Sequence, residues 1–366
     1  MGIQEKIKEI EHEYARTQKN KATEHHLGLL KAKLAKLRHE LVEGPKGTGA
    51  KTGDGFEVLK SGDARVALIG FPSVGKSTFL TKVTKTASQA ASYEFTTLTC
   101  IPGVIEYKGA SIQLLDLPGI IEGASQGKGR GRQVIATART SDLIIMMLEA
   151  GKGEIQKRLL TKELEDVGMR LNKQRPHVYF KLKATGGVKF NVIVPLTKCE
   201  ERTLLEILHM YKIHNCDVVV KEDITAEEFI DVIHASKIKY LRCIYVYNKI
   251  DELYMEEVDR LAREPDSMVI SCVWNLGLEV LVDKVWDYLG MLRVYTKKRG
   301  SRPDFSEPVV LRGGCSVEHV CHTIHRTLKD DFSYALVWGK SSKHMPQRVG
   351  LSHVVSDEDV IQIMKK

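Results

Sequence analysis

The stretch Val66-Ala67-Leu68-Ile69-Gly70-Phe71-Pro72-Ser73-Val74-Gly75-Lys76-Ser77-Thr78 joins an apolar run to the pattern G-x-x-x-x-G-K-S. A strand that turns through such a loop into a helix cradles phosphate. Gly70 and Gly75 let backbone N–H groups curl around an anion, with Phe71, Pro72, Ser73, Val74 and Thr78 completing the loop. Lys76 is placed to reach the β- and γ-phosphates, and the Ser77 hydroxyl to ligate Mg²⁺. A chance glycine-rich turn carries the same letters, so the reading depends on what stands at the other strand ends.

Three more motifs follow in order. Asp116-Leu117-Pro118-Gly119 ends the apolar run Ile112–Leu115. There Asp116 would hold Mg²⁺ through water, and the Gly119 amide would donate to the γ-phosphate. Asn248-Lys249-Ile250-Asp251 follows Cys243–Tyr247 and resembles the guanine-reading N-K-x-D of GTPases. The Asp251 carboxylate can accept from both N1–H and the 2-amino group of guanine. Adenine offers no such pair, so GTP rather than ATP is expected. Ser271-Cys272, after Met268-Val269-Ile270, matches the weaker loop that closes over the base. Between the first two motifs, Tyr93–Thr99 should supply a switch threonine that joins Mg²⁺ only when the γ-phosphate is present. Thr97 is the first choice and Thr96 the alternative; a strand rich in β-branched residues is the plainer reading. The candidate catalytic groups are Lys76, Thr97 and Gly119. The position after Gly119, where many GTPases carry Gln, is Ile120, which cannot hydrogen-bond water. Slow intrinsic hydrolysis is expected, with water positioned by backbone groups or by something supplied in trans.

The strings GFPSVGKST, YEFTTLT, DLPGIIEGASQGKGRGRQ, NKID and YALVWGKSSKHMPQRVG together resemble the developmentally regulated GTP-binding (DRG) proteins of the Obg-type group. The similarity runs from Met1 to Lys366, and GIQEKIKEIE and YTKKRGSRPDF look closest to the type 2 branch. The resemblance implies a slow GTP/GDP switch in the cytoplasm, associated with ribosomes and translation, with a dedicated DRG-family regulatory protein as partner. The chain would then be a monomer or a heterodimer with that partner. Some related GTPases recruit K⁺ through an Asn within the P-loop; Ser73 stands at that place here, which leaves K⁺ open. A scaffold for RNA or partners in which GTP is structural, or a switch in cytoskeletal or membrane trafficking, are the alternatives.

Composition agrees with a soluble globular chain: 366 residues, 43% hydrophobic and 28% charged. No apolar run approaches the ~20 residues that span a bilayer, so no integral membrane contact is expected. No secretory leader is apparent, and position six lacks the Ser or Thr of a myristoylation signal. The seven cysteines are scattered without C-x-x-C, which suits reduced thiols. Cys315, His319, Cys321, His322 and His325 lie mostly on one expected helix, where they cannot converge on one zinc ion. Fifty-five basic residues against 47 acidic give +8, compatible with RNA contact or with a merely solvated surface.

The fold class expected is α/β. Ile3, Ile7, Ile10 and Tyr14, then Leu27, Leu30, Leu34, Leu37 and Leu41, recur at helical spacing and predict a helical hairpin over 1–43. A self-packed hairpin with a wet basic face, or a docking arm, both fit its lysines. Residues 44–59 form a glycine-rich linker. A P-loop GTPase domain, a parallel sheet flanked by helices, fills 60–291. It is interrupted at 166–236 by a small α+β insert, because over 90 residues separate the fourth strand from NKID. Residues 292–366 fit a compact β-grasp pattern similar to the family's TGS domain.

Overall fold

The computed structural model describes residues 3–18, 20, 23–43, 62–84, 101–117 and 137–365. In chain order the elements are α1 (Ile3–Arg16), α2 (Glu24–Glu43), β1 (Ala64–Gly70), α3 (Lys76–Val83), β2 (Ile101–Tyr107), β3 (Ala110–Asp116), β4 (Leu143–Glu149), α4 (Gly153–Asp166) and β5 (Met169–Leu171). Then come β6 (Val178–Leu182), β7 (Val188–Val192), α5 (Glu201–Met210), β8 (Cys216–Val220), α6 (Ala226–Ile233), β9 (Lys239–Asn248), α7 (Met255–Ala262), β10 (Ser267–Val269) and α8 (Leu278–Leu289). The chain ends with β11 (Met291–Thr296), β12 (Asp304–Arg312), α9 (Val317–Ile324), β13 (Phe332–Trp338), β14 (Gln347–Val349) and β15 (Asp359–Lys365).

Two compact units form. The first holds α1, α2, α4, β5 to β8, α5, α6 and the start of β9. Its centre is a three-stranded sheet in the order β6-β8-β7. One face of that sheet buries Val218, Val220 and Phe229 with Leu204 and Ile207 of α5. Ala32 of α2 lies in the same core, with Leu29 and Ala35 packed against it. So α2 is not merely half of a hairpin packed on itself. Its basic residues are not all wet either: Lys31 pairs with Glu227 at 2.6 Å, and Arg38 with Glu11 at 2.8 Å and with Asp166.

The second unit holds β1, α3, β2, β3, β4, the end of β9 and everything after it. Its large sheet runs β10-β9-β4-β1-β3-β2. Strands β1, β3 and β4 pair in parallel and are almost wholly buried, as strands covered on both faces must be. The sheet is not parallel throughout. Strand β2, absent from the sequence reading, pairs antiparallel with β3 from Ile101↔Asp116 to Tyr107↔Ala110. The turn between them places Lys108 at φ 49 and Gly109 at φ 80, the left-handed pair that a two-residue hairpin needs. Five further strands, β12-β11-β15-β13-β14, form a second sheet with α9 over it, around Val294, Val317, Val320, Ala335 and Val337. Helix α9 stops at Ile324, and the chain continues as a single tight turn, Arg326–Leu328. His319 caps α9 by accepting from the Ser316 N–H, a structural use for one of the clustered histidines. Among the described residues no group of three or more His, Cys, Asp or Glu is arranged to hold a metal.

Candidate nucleotide-binding site

Strand β1 is forced inward by seven consecutive buried residues, and its chain leaves the sheet at Gly70. A Cβ on Gly70 would lie 2.4 Å from the Met147 carbonyl oxygen, so only glycine lets the loop start this close to β4. Val74 is fully buried, and Phe71 packs on the same core, which fixes the loop from beneath. Ser73 at φ 64 and Gly75 at φ 98 turn the chain sharply into α3. Helix α3 has no side-chain cap. Its first N–H groups and its positive dipole end are thereby suited to an anion.

Lys76 folds back over this loop, donating to the carbonyls of Gly70 at 2.8 Å and Phe71 at 2.9 Å. Burial holds its ammonium below the usual lysine range, with Asp116 opposing that drop. The Ser77 hydroxyl donates to Asp116 Oδ2 at 3.3 Å. Burial raises the Asp116 carboxyl above the usual range, against the pull of Lys76 and Ser77. Asp116 Oδ1 is buried without a hydrogen-bond partner among the described residues. A carboxylate oxygen left bare beside a hydroxyl at the mouth of a phosphate loop fits a hydrated divalent cation.

The base-side loops are tied to the phosphate loop by one side chain. Asn248, 3% exposed, donates from Nδ2 to the Val74 carbonyl at 2.8 Å. Its Oδ1 accepts from the Cys272 N–H at 3.0 Å. Ser271 Oγ donates to Asp251 Oδ1 at 2.6 Å and accepts from the Trp274 N–H at 3.3 Å. One oxygen of Asp251 is thus oriented by the protein. Lys249 sits at φ 65 with its ammonium 3.6 Å from Glu149. The Cys272 side chain lies in the core, so that residue serves this site through its backbone. Lys82, unmarked in the sequence reading, donates to the Val273 carbonyl at 3.3 Å and to Asn275 Oδ1 at 2.5 Å, and to the Cys272 carbonyl. Its spacing of six from Lys76 carries no signal.

Gly70–Thr78, Asp116, Asn248–Asp251 and Ser271–Cys272 therefore gather at the C-terminal ends of β1, β3 and β9 and just past β10. That is where open α/β sheets bind ligands. Thr96, Thr97, Gly119 and Ile120 lie outside the described residues.

The comparisons agree with this geometry. Residues 65–182 match the family described as 50S ribosome-binding GTPase, 185–291 its C-terminal region, and 292–365 the TGS domain. Developmentally-regulated GTP-binding protein 2 of Bos taurus is 67% identical over 366 residues, covering all of both chains. The homolog from Dictyostelium discoideum is 65% identical over the same span. The chain belongs to the developmentally regulated GTP-binding protein family. A solved Schizosaccharomyces pombe YchF GTPase aligns with 84% of this chain and 99% of its own, at 15% identity and a TM-score of 0.49. As a member of the DRG family the chain binds guanine nucleotide and is a hydrolase acting on GTP. No helix among the described residues is long and apolar enough to cross a membrane.

Proposed function

We propose that this protein is a slow cytoplasmic GTP/GDP switch that works with ribosomes and with a dedicated DRG-family regulatory protein. The observation that carries the switch is the Asn248 bolt. A single buried side chain joins the loop that would hold phosphate to the loop that would close over guanine. The description of the matched GTPase family and the matched TGS domain support the ribosomal side of the reading.

Ser77 and Asp116 would hold Mg²⁺, which when bound supplies neutralising charge between the β- and γ-phosphates. Lys76 leaves its two carbonyl partners to meet phosphate oxygens, an exchange of neutral acceptors for charged ones. The N-terminal amides of α3 orient the β-phosphate, and Asp251 accepts from guanine. Chemistry of this kind is mostly positioning and charge stabilisation. With Ile120 at the water-orienting place, the attacking water is held by backbone groups, by another polar residue of the switch or by a group in trans.

The test is single-turnover GTP hydrolysis by the purified protein, alone and with ribosomes, with Lys76→Ala as control. Turnover that rises with ribosomes and vanishes in Lys76→Ala supports the proposal. A rate that ribosomes leave unchanged removes the ribosomal role. Equal ribosome binding by the GTP- and GDP-loaded forms removes the switch, because a ligand shifts states only through differential affinity.

A further inference from the structure

The sheet β6-β8-β7 has one face covered by α5 and α6, and among the described residues no helix packs on the other. Val178, Phe180, Val188 and Phe190 point to the covered side and pack on its core. The alternate residues point outward, and the register sets them in rows. Tyr179 lies beside Val219, and Val219 beside Asn191. Lys181 lies beside Asp217, and Asp217 beside Lys189. At the far end the Lys221 N–H donates to the His177 carbonyl and the Ile193 N–H to the Val220 carbonyl, which extends the face by one more row.

Tyr179 is 51% exposed and Ile193 65% exposed, and Lys181, Lys189, Asn191 and Lys221 are all exposed. The carboxylate in the middle, Asp217, is engaged by the ammonium of Lys183. The middle row of the face therefore presents the Tyr179 ring, Val219 and Asn191, with Lys221 in the row on one side and Lys181, Asp217 and Lys189 in the row on the other. A strand of unpaired bases has a use for each part of this face. The bases stack on the ring, the phosphates meet the ammonium groups, and an Asn amide can pair with a base edge.

We propose that this outer face binds single-stranded RNA. Charge alone would also attract an acidic peptide, but a peptide carboxylate gains nothing from the Tyr179 ring. An RNA duplex offers its wide minor groove of 2′-hydroxyls and phosphates but no base face to stack on Tyr179, whereas unpaired bases do. The inference deepens the RNA side of the proposed function and rests on it only for which RNA is bound.

The test uses the full chain and a fluorescein-labelled twelve-nucleotide oligo(U) RNA, read by anisotropy at low and moderate salt. Fluorescent GDP binding is measured in parallel on every variant. The wild type should bind and weaken as salt rises. Tyr179→Ala should lower RNA affinity about ten-fold, the loss of one stacked base, while Tyr179→Phe retains it. Lys181→Glu with Lys189→Glu should lower it further and flatten the salt dependence, and GDP binding should not change. Variants that bind RNA within two-fold of the wild type overturn the proposal. So does a wild type that ignores oligo(U), or an oligo-glutamate that competes as well as RNA. Ribosome pelleting separates the two readings: a wild type that binds oligo(U) but does not pellet keeps the RNA face and removes the ribosome.

Discussion

Asn248 spends its side chain on the protein and leaves the base to its neighbours. Both of its polar atoms are used, and both partners are backbone groups of other loops. Removing it strands the Val74 carbonyl and the Cys272 N–H in a buried place, about 1–3 kcal/mol for each group. Asn248→Ala should therefore weaken GDP and GTP at least ten-fold and lower the melting temperature, which calorimetry and fluorescent-nucleotide titration can read together. Gly75 is constrained by the same bolt: a Cβ there would lie 2.3 Å from Asn248 Nδ2, at a φ of 98 that L side chains resist. Ser271 gives a finer test. Its 2.6 Å hydrogen bond orients one oxygen of Asp251, and a bond to a charged group contributes about 1.5–3 kcal/mol. Ser271→Ala should lower GTP affinity about ten-fold. If Asp251 accepts from the 2-amino group of guanine as proposed, the substitution should also shrink the preference for GTP over ITP, which lacks that group. An unchanged GTP/ITP ratio would show that Asp251 is oriented without Ser271.

At the scale of elements, α1 and α2 meet α4 through one cluster. Arg38 of α2 pairs with Glu11 of α1 and Asp166 of α4. Burial pushes the Asp166 carboxyl up to about 6, although Arg38 pulls it down. A carboxyl raised in the folded state favours folding while protonated. That contribution is complete below its unfolded value near 3.8 and is lost as pH rises through about 6. Asp166→Asn keeps the neutral form at every pH. From pH 4 to pH 7.5 the wild type should lose stability relative to Asp166→Asn, by at most about 3 kcal/mol. Urea denaturation of both proteins at the two pH values measures this; parallel pH profiles would show that the ion pair cancels the effect of burial, and a relative gain by the wild type that it outweighs it. The strands that carry ligand motifs were legible because each is an apolar run ended by a motif. Strand β2 was not: Pro102 and Gly103 break the strand pattern, and a proline is tolerated because β2 is the sheet's edge. The site's motif residues were legible by type and order. The bonds that make them one site, Asn248 to Val74 and Lys82 to the base loop, were not, since main-chain partners leave no mark in a sequence. The outward lysines of β6 and β7 carry no signal in the sequence, and only the register sets Lys181 and Lys189 on either side of Asp217 in one row.

At the scale of the molecule, the second unit joins a nucleotide sheet to the sheet β12-β11-β15-β13-β14 through a small aromatic joint. Trp286 of α8 is 4% exposed and meets Tyr107 of β2 edge-on, with ring centroids 6.1 Å apart. The Arg293 guanidinium of β11 lies 6.0 Å from the Trp286 ring, and Lys108 lies 5.6 Å from it. Beside this joint, Arg312 of β12 pairs with Asp142 at 2.8 Å, and Asp142 also accepts from the Arg65 N–H at the start of β1. The Lys108-Gly109 turn is close enough to β12 that a Cβ on Gly109 would lie 2.5 Å from Pro308. The contacts differ in weight. Arg312 is half exposed and its ion pair is worth about 1 kcal/mol at most. Truncating a buried tryptophan to alanine costs about 3–5 kcal/mol. Trp286, not the ion pair, therefore decides whether the two sheets unfold together. The wild type should show a single urea transition for both sheets. Trp286→Ala should split it, with nucleotide binding lost at the lower concentration, whereas Arg312→Ala should shift the single transition only slightly. A Trp286→Ala protein that still unfolds in one step would place the coupling in the backbone bond from Gly313 N–H to the Gly290 carbonyl, 2.6 Å long, at the junction of α8 with β11.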